Sequence, residues 1–230
     1  MKQRFFDEID SGWEDLISDV YNNACKFKPK YIIQNNKKII QKNKYYNDKS
    51  VKGELTLDDD LFQISDGAFL KTNLIGTLNI PENVNSIGQY AFAGCKGITE
   101  INLNNGLSTI HDSAFIFIDK VEELIIPDSV YIIGENAFSY MTNLKRAQLS
   151  NNLKTIDDGL FCKCINLEKV TLPNKLHEIR SFAFDNCKSL KELIIPESVR
   201  VIYDSAFADL NPNIIINNSL VKLKANHFTS

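Results

Sequence analysis

Histidine, methionine and tryptophan are almost missing from this chain, which has three, two and one of them among 230 residues. With so little histidine, and none of it in an H-E-x-x-H arrangement, there is scant material for a metal centre or a general acid–base pair. The five cysteines are an odd number. None stands in a C-x-x-C pair, which argues against a disulfide framework and for a reducing compartment. Glycine-rich phosphate loops and paired-carboxylate motifs are absent too, so no cofactor or metal is expected. Charge of one sign is not in excess: 26 basic and 29 acidic residues leave a formal net charge of -3. The overall balance therefore gives no reason to expect a polyanionic partner, nucleic acid included. There is also no apolar run long enough to cross a membrane. The opening "MKQRFFDEIDSGWEDL" carries charges where a secretory signal needs an unbroken apolar core. These absences set the expectation of a cytoplasmic protein or, given the abundance of Lys, Asn and Ile typical of A+T-rich genomes, one that works inside a host cell or virion.

What the sequence does have is a phrase repeated at one fixed interval. Phe69, Phe92, Phe115, Phe138, Phe161, Phe184 and Phe207 follow one another at 23-residue steps. Five residues before each stands an isoleucine: Ile64, Ile87, Ile110, Ile133, Ile156, Ile179 and Ile202. The residue just before each Phe is Ala68, Ala91, Ala114, Ala137, Leu160, Ala183 or Ala206, so a small side chain is wanted there in all but one unit. Each unit also holds an apolar-x-apolar pair: Leu78/Ile80, Ile101/Leu103, Leu124/Ile126, Ala147/Leu149, Val170/Leu172 and Leu193/Ile195. Period two over a few residues predicts a short strand with one buried face. Pro81, Pro127, Pro173 and Pro196 fall directly after these pairs, where the missing backbone donor ends a strand. Apolar residues three and six positions after the Phe, such as Cys187 and Leu190 after Phe184, have a helical spacing and predict one short helical turn per coil.

A self-similar unit of this length with an L-x-L core is the sequence mark of a leucine-rich-repeat solenoid. The expected fold class is thus an α/β repeat solenoid, a right-handed coil with a parallel sheet of short strands. The unit "I-x-x-x-A-F-x-x-C-x-x-L-x-x-L-x-I-P-x-S-V" resembles the BspA-like, or Treponema-pallidum-type, subclass of these repeats. "AFDNCKSLKELIIPESV" at 183–199 carries the likeness most fully. The resemblance covers roughly residues 55–210. It implies a protein-binding or adhesive solenoid rather than a catalyst, and it raises the cell surface as a location.

The array extends at both ends. Tyr31, Ile33, Ile40 and Tyr45 lie 24 residues before Leu55, Leu57, Ile64 and Phe69. Residues 31–54 therefore read as a degenerate first coil, with a hairpin turning at Asn35-Asn36 as the alternative. Residues 55–210 form the regular coils and 211–228 a shortened last one, with Ile214, Ile216, Leu220, Leu223 and Phe228 on its core side. Within residues 1–30, Phe6, Ile9, Trp13, Leu16, Ile17, Val20 and Ala24 outline an amphipathic helix. Ser11 and Glu14 are spaced as a capping box, and this helix would close the N-terminal end of the core. With only Thr229 and Ser230 after Phe228, the last coil is expected either to fray or to pack against a second copy as a homodimer.

Chemistry-bearing residues are few. Cys95, Cys164 and Cys187 share one column, but Thr72, Ile118, Met141 and Leu210 occupy it elsewhere, which points to space filling. His111-Asp112-Ser113 holds the alphabet of a catalytic triad, yet adjacent residues cannot converge as the relay requires. Residues 26–54, with nine basic and two acidic side chains around Tyr31, Tyr45 and Tyr46, could bind RNA or an acidic protein, or could simply be a solvated sheet edge. The remaining candidate is the outward face of the sheet. Thr77, Glu100, Glu123, Arg146, Lys169 and Glu192 form one of its columns, and Asn79, Asn102, Ile125, Gln148, Thr171 and Ile194 the next. The expected function is a non-catalytic interaction module that binds a partner protein through Glu100, Asn102, Glu123, Ile125, Arg146, Gln148, Lys169, Thr171, Glu192 and Ile194. The alternative is a structural or adhesive surface component that stacks through the solenoid ends.

Overall fold

The structure is a computed structural model, and it describes residues 26–34, 37–210 and 215–217. Each regular coil contributes a strand in which a buried apolar residue sits between two outward-facing ones. Glu123–Ile125, Arg146–Gln148, Lys169–Thr171 and Glu192–Ile194 all follow this exposed–buried–exposed pattern. Their N-terminal counterparts are Lys26–Phe27, Lys52–Leu55, Asn73–Asn79 and Gly97–Asn102, and Ile215–Asn217 follows at the other end. We call these the major strands. They pair in parallel one coil apart, as in Leu124 with Ala147 and Ala147 with Val170. Because the period equals the coil length, each sequence column becomes a physical ladder.

After each major strand the chain turns at the proline column. Val84, Val130, Leu176 and Val199 donate their N–H to the carbonyls of Pro81, Pro127, Pro173 and Pro196 at 3.0–3.1 Å. Where proline is replaced, the substitute bonds to the preceding coil. Asn104 Nδ2 reaches the Val84 carbonyl at 3.0 Å, and Ser150 Oγ reaches the Val130 carbonyl at 2.5 Å. Asn and Ser thus shape the turn with their side chains where Pro does so with its ring.

The isoleucine column builds a second parallel sheet, which the sequence reading did not anticipate. Its minor strands include Leu61–Ile64, Ser86–Ile87, Thr109–Ile110 and Ile132–Ile133, and later Thr155–Ile156, Glu178–Ile179 and Val201–Ile202. Each isoleucine faces inward, stacked on the next, as Ile87 is on Ile110.

The third side of the coil carries the phenylalanines, and here the expected helical turn is replaced by a ribbon of tight turns. Among the described residues there is no helix, so the fold is an all-β solenoid and not α/β. In every regular coil the residues two before and two after the Phe are left-handed: φ is +55° at Tyr90 and +68° at Gly94 around Phe92, and +56° at Asn136 and +59° at Tyr140 around Phe138. With a left-handed residue at every fourth position, the ribbon points successive N–H groups alternately along the coil and across to the next one. Ala91, Ala93 and Cys95 donate within the coil to Gly88, Tyr90 and Phe92. Tyr90, Phe92 and Gly94 donate across to Asp112, Ala114 and Ile116 of the next coil. An α-helix would keep all these donors inside its own coil and leave the coils unlinked on this side.

The same geometry explains the small residue before each Phe. It lies at the crowded bend, is buried, and offers its carbonyl to the preceding coil. The rings stack at 5.2 Å between Phe69 and Phe92 and at 5.7–6.0 Å between later neighbours. The widest step, 6.0 Å between Phe138 and Phe161, is where Leu160 takes the place of alanine. All seven phenylalanines are fully buried.

The N-terminal stretch combines both sequence readings. Ile32–Gln34 runs antiparallel to Lys37–Ile40, which makes the hairpin. Ile40 nevertheless pairs with Ile64, and Tyr45 stacks on Phe69 at 5.4 Å. Ile33, read as a core residue, is instead 68% exposed. Lys52–Leu55 pairs in parallel with Asn73–Asn79 on one side and, on the other, with Lys26–Phe27 and not with the 31–33 segment. Residues 1–25 of the helical cap expected over 1–30 lie outside the described residues, as does most of the last coil, with Leu220, Leu223 and Phe228, while the described end of that segment, Lys26–Phe27, is a strand and not a helix.

Candidate functional site

Strand alternation presents both outward columns of the major sheet on one face, about 7 Å apart along each strand. Glu100, Asn102, Glu123, Ile125, Arg146, Gln148, Lys169, Thr171, Glu192 and Ile194 are all exposed there. Side chains on successive coils bridge to one another. Thr77 Oγ1 donates to Glu100 Oε2 at 2.9 Å, and Asn102 Nδ2 to Asn79 Oδ1 at 2.9 Å. Arg146 Nε donates to Glu123 Oε1 at 3.2 Å, and beside them Lys145 Nζ meets Glu122 Oε2 at 2.9 Å. The Glu123 carboxylate, first by hydrogen bonding and then by its charge, holds the Arg146 guanidinium above its ordinary pKa. The Glu122–Lys145 pair was not foreseen, because it lies just before the strand and carries no period-two signal.

Two features of the face have no such lateral partner. Ile125 and Ile194 are 57% and 63% exposed, in a column otherwise made of Asn, Gln and Thr. Lys169 makes no ion pair or side-chain hydrogen bond among the described residues, although it stands next to Arg146 in the ladder. Near the N-terminal edge of the same face is a depression of about 430 Å³ lined by Glu54, Leu57, Asp59, Thr77, Asn79 and Pro81.

The other sequence candidates are structural. Cys95, Cys164 and Cys187 are buried free thiols. Each donates to a phenylalanine carbonyl of the preceding coil, Cys95 to Phe69 at 3.1 Å, Cys164 to Phe138 and Cys187 to Phe161 at 3.2 Å. Burial pushes the Cys95 thiol up to about 11, and burial with the Asp185 carboxylate pushes Cys162 up to about 12. Neither is a ready nucleophile, since reactivity requires the thiolate. Asp112 accepts the Glu135 N–H at 3.1 Å and Ser113 is buried at φ +55°, so the His111-Asp112-Ser113 run shapes the turn. Gly134 belongs to the same contact, because a Cβ there would come within 2.1 Å of Asp112 Oδ1 and 2.6 Å of its backbone nitrogen.

In the basic N-terminal segment, Lys28 and Lys38 both meet Asp58 at 2.9 Å, Lys38 also meets Asp60, and Lys42 meets Asp66 at 3.2 Å. Lys37 lies 3.6 Å from the Phe62 ring centre. These lysines tie the hairpin and the residues flanking it to the following coil. Glu135, Asp157 and Asp158 bring carboxylate oxygens within 4.8 Å of one another, and Arg180 Nη1 sits 3.0 Å from Asp157. Partial burial and then the neighbouring Asp157 and Glu135 raise the Asp158 pKa.

A family model described as the BspA-type leucine rich repeat region, in six copies, matches residues 15–145 and 117–230. A leucine-rich repeat protein of T. pallidum is 28% identical, with a TM-score of 0.67, over 78% of this chain and 85% of that one. A leucine-rich repeat protein from Bacteroides ovatus is 25% identical with a TM-score of 0.61, and the match covers 87% of this chain and 61% of that one. This chain thus matches somewhat under two thirds of the Bacteroides protein's length. A leucine rich cell surface protein from Faecalibacterium prausnitzii, 22% identical with a TM-score of 0.52 over 85% of this chain and 60% of that one, shares the fold. Comparison with curated proteins gives no match. Among the described residues, no helix is long and apolar enough to cross a membrane.

Proposed function

The chain belongs to the BspA-type leucine-rich repeat family, and from that premise we propose that it is a non-catalytic module that binds a partner protein through the outward face of its major sheet. The observation that carries this reading is the exposure of Ile125 and Ile194, 57% and 63%, on an otherwise polar column. An isolated solvent-facing isoleucine needs no explanation. Two on one ladder, flanked by charged and amide side chains, have the composition of apolar anchors within a polar rim. The rigid sheet supplies preorganisation, which lowers the ordering cost of binding.

The test is affinity capture from the native source by the immobilised chain, compared with the double variant Ile125→Lys and Ile194→Lys. The partner should be lost while circular dichroism stays unchanged. Undiminished capture by the variant would remove the sheet face from consideration.

A further inference from the structure

The outward face of the major sheet has satisfied and unsatisfied parts, and the pattern of the unsatisfied ones restricts what can lie on it. Glu100 and Glu123 accept from Thr77 and Arg146, and Asn79 bonds Asn102. Between the two exposed isoleucines, Lys169 makes no ion pair or side-chain hydrogen bond among the described residues, although Glu192 follows it in the column, and Gln148 and Thr171 point outward without side-chain hydrogen bonds. Ile125 and Ile194 are 69 residues apart in one column, which is three coil steps. At about 4.8 Å per step they stand about 14 Å apart along the solenoid axis.

That distance discriminates between shapes of partner. In an extended chain, side chains at i, i+2 and i+4 share a face, and four residues at about 3.4 Å each span about 14 Å. An α-helix rises about 1.5 Å per residue, so ten residues reach about 15 Å but put the second side chain about 80° around the cylinder. Eleven residues restore the face but overshoot to about 16 Å. An extended segment therefore matches both anchors at once, and its central residue falls midway, beside Gln148 and Thr171. Lys169 stands one outward position away on the same strand as Thr171, about 7 Å, within the reach of a lysine meeting an acidic side chain.

We propose that this face takes an extended segment of another protein, lying along the solenoid axis across the strands, with the pattern apolar-x-acidic-x-apolar. Its apolar residues would cover Ile125 and Ile194, and its carboxylate would pair with Lys169. This rests on the sheet-face reading above and adds the chemistry of the partner. Arg146 is not the primary contact, because Glu123 already occupies its guanidinium.

Two fluorescein-labelled nonapeptides serve as probes, Gly-Ser-Leu-Thr-Glu-Thr-Leu-Ser-Gly and the same peptide with Lys in place of Glu. Both are titrated by anisotropy at low salt against the wild-type chain and against Lys169→Glu, an exposed substitution checked by circular dichroism. Wild type should bind the glutamate peptide at least tenfold more tightly than the lysine peptide, and Lys169→Glu should reverse that order. Equal binding of the two peptides, binding of neither, or a preference unchanged by Lys169→Glu would overturn the proposal. If any of these occurs while the isoleucine double variant still loses its captured partner, the sheet face remains the binding surface and only the pattern assigned to its ligand fails.

Discussion

The phenylalanine side of the solenoid and the outward face of its major sheet are built on the same repeat, yet they use it in opposite ways. On the phenylalanine side one ring recurs seven times, its predecessor is nearly always alanine, and the left-handed positions recur at the same two offsets. On the sheet face one column runs Thr77, Glu100, Glu123, Arg146, Lys169, Glu192 and the other Asn79, Asn102, Ile125, Gln148, Thr171, Ile194. The ring column is closed by stacked neighbours above and below, and any departure leaves a void or a clash that neither neighbour can absorb. The face meets water on one side, so its side chains are free to differ and to carry recognition.

Ranked by expected size, four measurements probe this contrast. Phe138→Ala should cost about 3–5 kcal/mol in denaturant melts, since Phe115 and Phe161 are held by their own coils and cannot close over the cavity. A loss under about 1 kcal/mol would remove the distinction between the two sides. Gly159→Ala comes next. The added Cβ would lie 2.2 Å from Asn136 Oδ1 at a residue with φ +63°, and the expected loss is about 1–3 kcal/mol. Pairing it with Asn136→Gly, which removes the clashing side chain, should restore part of that loss. No recovery would assign the effect to backbone conformation alone.

Phe182→Gly tests the turn ribbon from the other direction. Phe182 is 51% exposed at φ +57°, so glycine relieves about 1–2 kcal/mol of left-handed strain against about 0.5–1 kcal/mol of chain entropy. A small net stabilisation is expected, and a marked loss would mean that the ring packs where it is now read as exposed. The smallest effect belongs to the face. The Ile125→Lys and Ile194→Lys variant should shift stability by less than about 0.5 kcal/mol per site while abolishing capture. A large destabilisation would make those isoleucines core residues.

Several elements are legible in the sequence alone. The Phe, Ile and major-strand columns, the proline turns and the outward position of all ten face residues follow from period and alternation alone. The turn ribbon was not legible, because Phe, Cys and Leu spaced by three are what a helix would also show. Its left-handed residues include Tyr90, Phe117, Tyr140 and Phe182, which carry none of the Gly or Asn signal that normally marks such backbone. The second sheet was hidden for a related reason. Most of its strands are two residues long with one buried isoleucine, too short to show alternation. Ile33 was misplaced because its offset of 24 residues matched the array, whereas the hairpin with Lys37–Ile40 turned it outward.

The sequence by itself determined the length of the coil and which side chains face inward, because a constant period makes every column self-consistent whatever backbone joins it. Only the tertiary structure decided the conformation of the phenylalanine side and which face charges are satisfied. Both depend on contacts between residues one coil apart. The Phe92 N–H chooses the Ala114 carbonyl over a helical partner, and Arg146 is held by Glu123 while Lys169 is left open. Those choices are made by groups that become neighbours only after the chain has coiled.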